Sequence, residues 1–329
     1  MDPSGVLTRS DPSMKILTLT LNPVIDGACE TDAVRHTHKV RTEHERYDPG
    51  GGGINVARVI GRLGGDVEAL YLAGGATGAV LDELLDRNGV RRRRVNIADH
   101  TRISLAVHER ASGREYRFVP EGPQVSEAEW QDCLKAIEQS PCDWLVASGS
   151  LPRGIPRDFY ARVGAIAGKN NTRFVLDSSG DALRLGLAGG GIFLVKPSRG
   201  ELERLAGHTL SDHDALLAAA RGIVERGEAI HVAVSMGHEG ALLVNAGGAL
   251  QLPAIPVEVR SAVGAGDSFL AAMVNAIAAG WEPEDAFRFG IAAGTAAVMT
   301  PGTDLCHRAD VERLFRQIAG RQPARMDLS

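Results

Sequence analysis

The chain has 329 residues, 44% of them hydrophobic and 23% charged, which is enough to bury a large core and too apolar for a disordered chain. Lys and Arg number 36 against 41 Asp and Glu, a formal charge of −5, so nothing draws the chain to nucleic acid and any anionic ligand needs a local cluster. No apolar run reaches the roughly 18 residues that a membrane span requires, and neither nucleic acid nor membrane is an expected partner.

Residues 1–13 lack the apolar segment of a secretory signal and read as a flexible tail, or as sequence upstream of a start at Met14. Cys29, Cys133, Cys142 and Cys306 are widely spaced, which suits reduced thiols in a cytoplasmic setting and neither zinc nor a disulfide framework. From Met14 onward, short aliphatic runs alternate with helical patterns. Strands are predicted over 15–21, 67–72, 144–148, 174–177, 193–196 and 231–235. Helices are predicted over 54–63, 79–88, 127–138, 157–167 and 212–226. The alternation argues for parallel strands joined by crossover helices, and hence a doubly wound, mostly parallel α/β sheet. One domain over 14–320 is expected, with a short tail over 321–329.

Two stretches break the rhythm. Residues 27–48 are polar and alternating, and 103–119 reads as two antiparallel strands around Ala111, Ser112 and Gly113. Together they predict a small β-sheet beside the main one, suited to a lid or a dimer surface. The run Arg91–Arg94 reads as a solvated face. A second hairpin over 240–252 leads into a helical last third.

Glycine is the unusual residue, at 39 copies. The strongest motif is Val263-Gly264-Ala265-Gly266-Asp267-Ser268 ahead of a helical run. A glycine turn that opens a helix aims free N–H groups and the positive end of the helix dipole at one spot. Gly264, Ala265 and Gly266 then form an anion hole. Asp267 is either a base that takes a hydroxyl proton there or an ordinary helix N-cap. The second motif is Gly50-Gly51-Gly52-Gly53-Ile54-Asn55, which matches neither nucleotide-binding glycine pattern. Its amides, from Gly51 to Gly53 and at Asn55, suit sugar hydroxyls. A third, Thr18 to Asp26, reads as a strand ending in a carboxylate that accepts from vicinal hydroxyls. A fourth, Ser235-Met236-Gly237-His238-Glu239-Gly240, is a turn whose amides suit the outer phosphates of a nucleotide.

Together these motifs resemble the ribokinase-like sugar kinases of the PfkB family, and within it the minor-isozyme type of 6-phosphofructokinase. The resemblance runs from about Lys15 to Cys306. It rests on TLTLNPVID, PGGGGINVAR, AGGATG, SGREYRF, SGSLPRG, VLDSSGDAL, LVKP, VSMGHEGAL, VGAGDSF and PGTDLC. It implies a ribokinase-like fold and ATP-dependent phosphorylation of fructose 6-phosphate at its 1-hydroxyl. Asp267 is then the catalytic base, and Asp26, Gly51, Gly52, Gly53 and Asn55 hold the sugar. Arg102, Lys39 and Ser150 grip its phosphate. Lys196, Ser198, Ser235, Gly237 and Gly240 fall on the nucleotide side, and Glu201 holds Mg²⁺ through water. K⁺ is a candidate further ion, and a homodimer through the small sheet is implied.

Three positions depart from the family pattern. Ser198 stands where an asparagine usually helps Glu201 to position water around Mg²⁺. Gly200 stands where the subtype has a lysine near the nucleotide phosphates, with Arg199 a candidate replacement. Asp304 replaces an expected basic residue. A sister kinase for fructose 1-phosphate or tagatose 6-phosphate is the nearest alternative, though Gly52 fills the place where sisters tend to carry lysine. A non-catalytic sugar-phosphate sensor is the other.

Overall fold

The computed structural model describes residues 14–319 and 324–326; the tail expected over 1–13 lies outside them. In chain order the elements are β1 (Ile16–Thr20), β2 (Val24–Thr31), β3 (Glu43–Gly50), α1 (Gly52–Arg62), β4 (Val67–Gly74), α2 (Gly75–Arg87), β5 (Arg92–Ile97), β6 (Arg102–Glu109) and β7 (Arg114–Phe118). There follow α3 (Glu127–Glu138), β8 (Trp144–Ser148), α4 (Phe159–Lys169), β9 (Arg173–Asp177), α5 (Gly180–Ala188), β10 (Ile192–Val195), α6 (Arg199–Ala206), α7 (His213–Glu225) and β11 (Ala229–Ser235). The chain ends with β12 (Ala241–Asn245), β13 (Gly248–Leu252), α8 (Ala265–Ala278), α9 (Pro283–Val298), α10 (Arg308–Ala319) and β14 (Ala324–Met326).

The large sheet has the order β14-β13-β12-β11-β10-β9-β8-β1-β4-β5. It is parallel from β11 to β5, and β12, β13 and β14 extend it antiparallel. The tail expected over 321–329 therefore contains an edge strand. Helices cover both faces, as continuous apolar strands require. One core lies under α1, α8, α9 and α10, and the other under α3, α4, α5 and α7. This is the doubly wound, mostly parallel architecture expected from the crossover pattern.

Strand parity decides what reaches the site. Leu17 and Leu19 of β1, Leu145 and Ala147 of β8, and Phe174 and Leu176 of β9 enter the second core. Residues alternate between faces along a strand, so Thr20, Ser148 and Asp177 end their strands facing α1 and α8. Lys196, next after β10, has the same parity. Four adjacent strand ends thus bring polar groups to one edge of one face.

The second sheet has the order β3-β2-β6-β7, close to the expected lid. Two differences matter. The carboxylate of Asp26 does not end a strand of the main sheet: β1 stops at Thr20 and Asp26 lies on β2, in the small sheet. The run Arg91–Arg94 is not a plain solvated face, since Arg92–Ile97 is the edge strand β5. Arg92 bonds Asp86 at 2.7 Å, Arg94 bonds Asp82 at 2.8 Å, and Arg93 on the opposite face bonds Glu68 at 2.8 Å. Charge on alternate faces hides strand periodicity in the sequence and also blocks edge-to-edge pairing.

Candidate active site

The glycine run owes its composition to close approach. Gly51 has φ 108° and is the N-cap of α1. A Cβ on Gly53 would stand 2.5 Å from the Leu19 carbonyl oxygen, one on Gly52 would overlap Ser148, and one on Gly50 would overlap Asp26. Only glycine lets α1 begin this close to β1 and β8. The Asn55 N–H is not free for a sugar, because it donates to Gly51 O at 2.9 Å. The Asn55 side chain points instead to the second glycine turn, where its Nδ2 donates to Asp267 Oδ2 at 2.8 Å.

Gly264, at φ 73°, is the N-cap of α8, which puts Asp267 in the first turn and rules it out as the cap. Among the described residues, the N–H groups of Gly264, Gly266 and Asp267 have no hydrogen-bond partner. They form the unfilled positive end of a helix, with a carboxylate beside them. Burial pushes that carboxyl up to about 6, helped by the negative charge of Asp177; the Asn55 hydrogen bond and the charge of Lys196 oppose the shift.

Lys196 lies directly behind the turn. It is buried, its Nζ is 3.2 Å from Asp177 Oδ1, and a Cβ on Gly266 would come 3.3 Å from that Nζ. Burial is the largest single influence and would lower its pKa, but the charge and hydrogen bond of Asp177, with the charges of Asp267 and Glu201, together raise it. Ser148 Oγ donates to Asp177 at 3.3 Å. Neither Ser148 nor Asp177 is among the sequence candidates; the signal for them is an apolar strand ending in a polar residue of the right parity.

On the small-sheet side, Asp26 accepts from the Ser104 hydroxyl. Burial raises its pKa, while Ser104, Arg117 and Arg102 pull it down. Its charge also reaches Asp267. Arg102 donates to Asn22 O at 3.0 Å and Pro120 O at 3.1 Å, and Asn22 Nδ2 donates to Ser150 Oγ at 3.2 Å. Asn22, absent from the sequence candidates, therefore joins two that were predicted, Arg102 and Ser150. Lys39 is not brought to them: it is exposed in the β2–β3 loop, with no bond to these residues.

Among the residues expected on the nucleotide side, Ser198 caps α6. Its hydroxyl accepts from Glu201 N at 3.3 Å, while Glu201 Oε2 accepts from Ser198 N at 2.7 Å. This reciprocal capping box leaves one Glu201 oxygen free. Ser235 ends β11 and donates its N–H to Pro197 O at 3.0 Å, which joins the two loops. A single 3₁₀ turn, Gly237–Glu239, follows. Gly240, at φ 100°, is required because a Cβ there would overlap the Leu252 carbonyl. Arg199 is no free cation: it bonds Glu239 at 2.7 Å and Leu210 O at 2.7 Å. Asp304 is paired with Arg62 and His307, each at 3.2 Å.

Residues 19–310 match the pfkB family carbohydrate kinase profile. The chain is 43% identical over 307 residues to the ATP-dependent 6-phosphofructokinase isozyme 2 of Mycobacterium tuberculosis, covering 93% of this chain and 90% of that one. It is 41% identical to the enzyme of the same name from Escherichia coli, covering 93% and 99%. A crystal structure of phosphofructokinase-2 from Escherichia coli in complex with potassium superposes with a TM-score of 0.90 at 40% identity, covering 93% and 99%. The glycine turns, the order of the strands and this similarity along nearly the whole length agree: the chain is a sugar kinase of the pfkB carbohydrate kinase family.

Proposed function

We propose that this kinase transfers the γ-phosphoryl group of ATP to the 1-hydroxyl of fructose 6-phosphate, giving fructose 1,6-bisphosphate and ADP. The observation that carries the reading is the Asn55–Asp267 junction, where a part-buried carboxylate with a raised pKa stands beside unpaired helix amides. The ionised Asp267 takes the proton of the 1-hydroxyl as that oxygen bonds the γ-phosphorus and the bond to the ADP oxygen breaks. The amides of Gly264, Gly266 and Asp267 receive the charge on the migrating group, whereas the Ala265 N–H, expected to join them, donates to Ala262 O at 3.5 Å. Such transfers need positioning and neutralisation more than covalent chemistry.

Asp26 and the glycine run hold the sugar hydroxyls in this reading. Arg102 takes the 6-phosphate, which its planar fork suits, with Ser150 beside it. Lys39 stays a candidate for the same phosphate, to be tested by the effect of Lys39→Ala on KM. Lys196, Ser198, Ser235, Gly237 and Gly240 line the nucleotide side. Mg²⁺ would supply neutralisation of the nucleotide phosphates. The Glu201 carboxylate oxygen that the capping box leaves unused fits a metal held through water, as Mg²⁺ commonly is. K⁺ is proposed as a further ion, since the superposed Escherichia coli structure contains it.

A homodimer through the small sheet is part of the proposal. Tyr47, Gly27, Leu105 and Phe118 are cross-strand neighbours across all four strands. Tyr47 and Phe118 are 50% and 59% exposed. A continuous apolar row on an open sheet face calls for a cover. Among the described residues no helix is long and apolar enough to cross a membrane.

The deciding experiment is ADP release across fructose 6-phosphate, fructose 1-phosphate, tagatose 6-phosphate and fructose. Highest kcat/KM on fructose 6-phosphate is expected. Preference for either other sugar phosphate, or binding without ADP formation, rejects the assignment.

A further inference from the structure

Arg58 follows Asn55 by one helical turn on α1 and has no role in the chemistry described so far. It is 4% exposed, and a guanidinium buried so deeply needs acceptors from every side. Its Nη1 donates to Pro49 O at 2.9 Å and lies 3.5 Å from Asn55 Oδ1. Its Nη2 is 3.5 Å from Asn88 Oδ1 and 3.6 Å from Asp48 Oδ1, and its Nε has no partner. Asp48 and Pro49 lie at the end of β3, where the small sheet runs into the glycine turn. Asp48 is itself held by Thr303 Oγ1 at 2.8 Å.

We infer that Arg58 is a positioning residue for phosphoryl transfer: it locks the Asn55 amide with its NH₂ end toward Asp267 and ties that orientation to the base of the small sheet. The inference rests on the reading of Asp267 as the base. An asparagine amide has one end that only donates and one that only accepts. A guanidinium has no acceptor, and an ionised carboxylate has no donor. With Arg58 on one side and Asp267 on the other, only one orientation satisfies both.

The lock has a direction. A protonated Asp267 could donate to an amide that had turned over, but turning would set the NH₂ end against Arg58. Arg58 therefore favours the ionised base through Asn55, without touching it. The other groups that act on Asp267 are Asp177 on β9, Lys196 after β10 and Asp26 on β2. Those that act on Arg58 are Asp48 on β3, Arg62 on α1, Asp304 before α10 and Asp26. Asp26 acts on both through its charge, and Asn55 is the group within hydrogen-bond reach of both Arg58 and Asp267.

The test is a double-mutant cycle read on the acid limb of kcat/KM for fructose 6-phosphate, using wild type, Asn55→Ala, Arg58→Met and the double variant. Arg58→Met is expected to move the limb to higher pH by roughly half a unit to one unit, the size of one ordinary hydrogen bond. Asn55→Ala is expected to move it in the same direction, and the double variant no further than Asn55→Ala alone. An unmoved limb in Arg58→Met, or an equal extra shift in the Asn55→Ala background, overturns the inference, since a through-space charge or a purely structural role does not need Asn55. If Arg58→Met does not fold, as judged by circular dichroism, Arg58→Lys takes its place in the cycle. It keeps the charge beside Asp48 and loses the planar fork, and its shift is expected in the same direction under the same criteria. A wild type with no acid limb overturns the base assignment and this inference with it. A limb that Asn55→Ala moves and the Arg58 variant does not overturns this inference alone.

Discussion

Asn55 and Asp267 are 212 residues apart in the chain, and the amide of one donates to the carboxylate of the other at 2.8 Å. The bond joins the first turn of α1 to the first turn of α8, each opened by its own glycine turn. The proposed sugar-side and phosphoryl-side groups thus meet at one hydrogen bond.

Asp267→Asn removes the proton acceptor and keeps the shape. A positioned base contributes about 10²- to 10⁴-fold in rate, so kcat should fall by that order while fructose 6-phosphate still binds in calorimetry. Turnover near the wild-type level would end the assignment.

The same carboxyl has a cost in stability. Its folded-state pKa of about 6 lies above its ordinary 3.8, so the folded protein holds the proton more tightly than the unfolded chain does. Below 3.8 both states are protonated and nothing is lost. As pH rises through this window, ionisation progressively destabilises the fold, and the penalty is complete above about 6. Asp267→Asn should therefore raise Tm at neutral pH, and the gain should vanish in acid. A gain independent of pH contradicts the account.

Activity should follow the same group with the opposite sense, because the base must be ionised. The acid limb of kcat/KM is expected near pH 6. Asp177→Asn should move it down, by removing a negative neighbour, and Lys196→Met should move it up. Lys196→Met also leaves the charge of Asp177 without its cation, a change of about 3–5 kcal/mol in buried pairs, to be read by chemical denaturation. Shifts of the same sign in both variants would contradict the electrostatics.

Arg102→Ala should raise KM for fructose 6-phosphate by roughly ten- to a hundredfold, the worth of hydrogen bonds to a charged group. Phosphorylation of free fructose should be little changed. An unaltered KM would remove Arg102 as the phosphate grip.

Gly53→Ala would put a methyl 2.5 Å from the Leu19 carbonyl oxygen and the Thr20 hydroxyl. Overpacking against backbone costs about 1–3 kcal/mol and should push α1 off the sheet. Denaturant melts and turnover should both register it; an unchanged melt would show that the turn has room to spare.

The alternation of strands and helices, the two glycine turns and Asp267 as the candidate base are all legible in the sequence, because apolar periodicity and backbone freedom are local properties. The sequence could not show that Asp26 belongs to the small sheet, since the break between β1 and β2 depends on which strands they pair with. It hid β5, whose arginines read as solvent-facing until Glu68, Asp82 and Asp86 neutralise them. Tertiary structure alone decided that Ser148, Asp177 and Lys196 share one face, and that Ser198 and Arg199 are occupied by Glu201 and Glu239. Those facts depend on which strand ends lie side by side, and long-range packing fixes that where no window of sequence can.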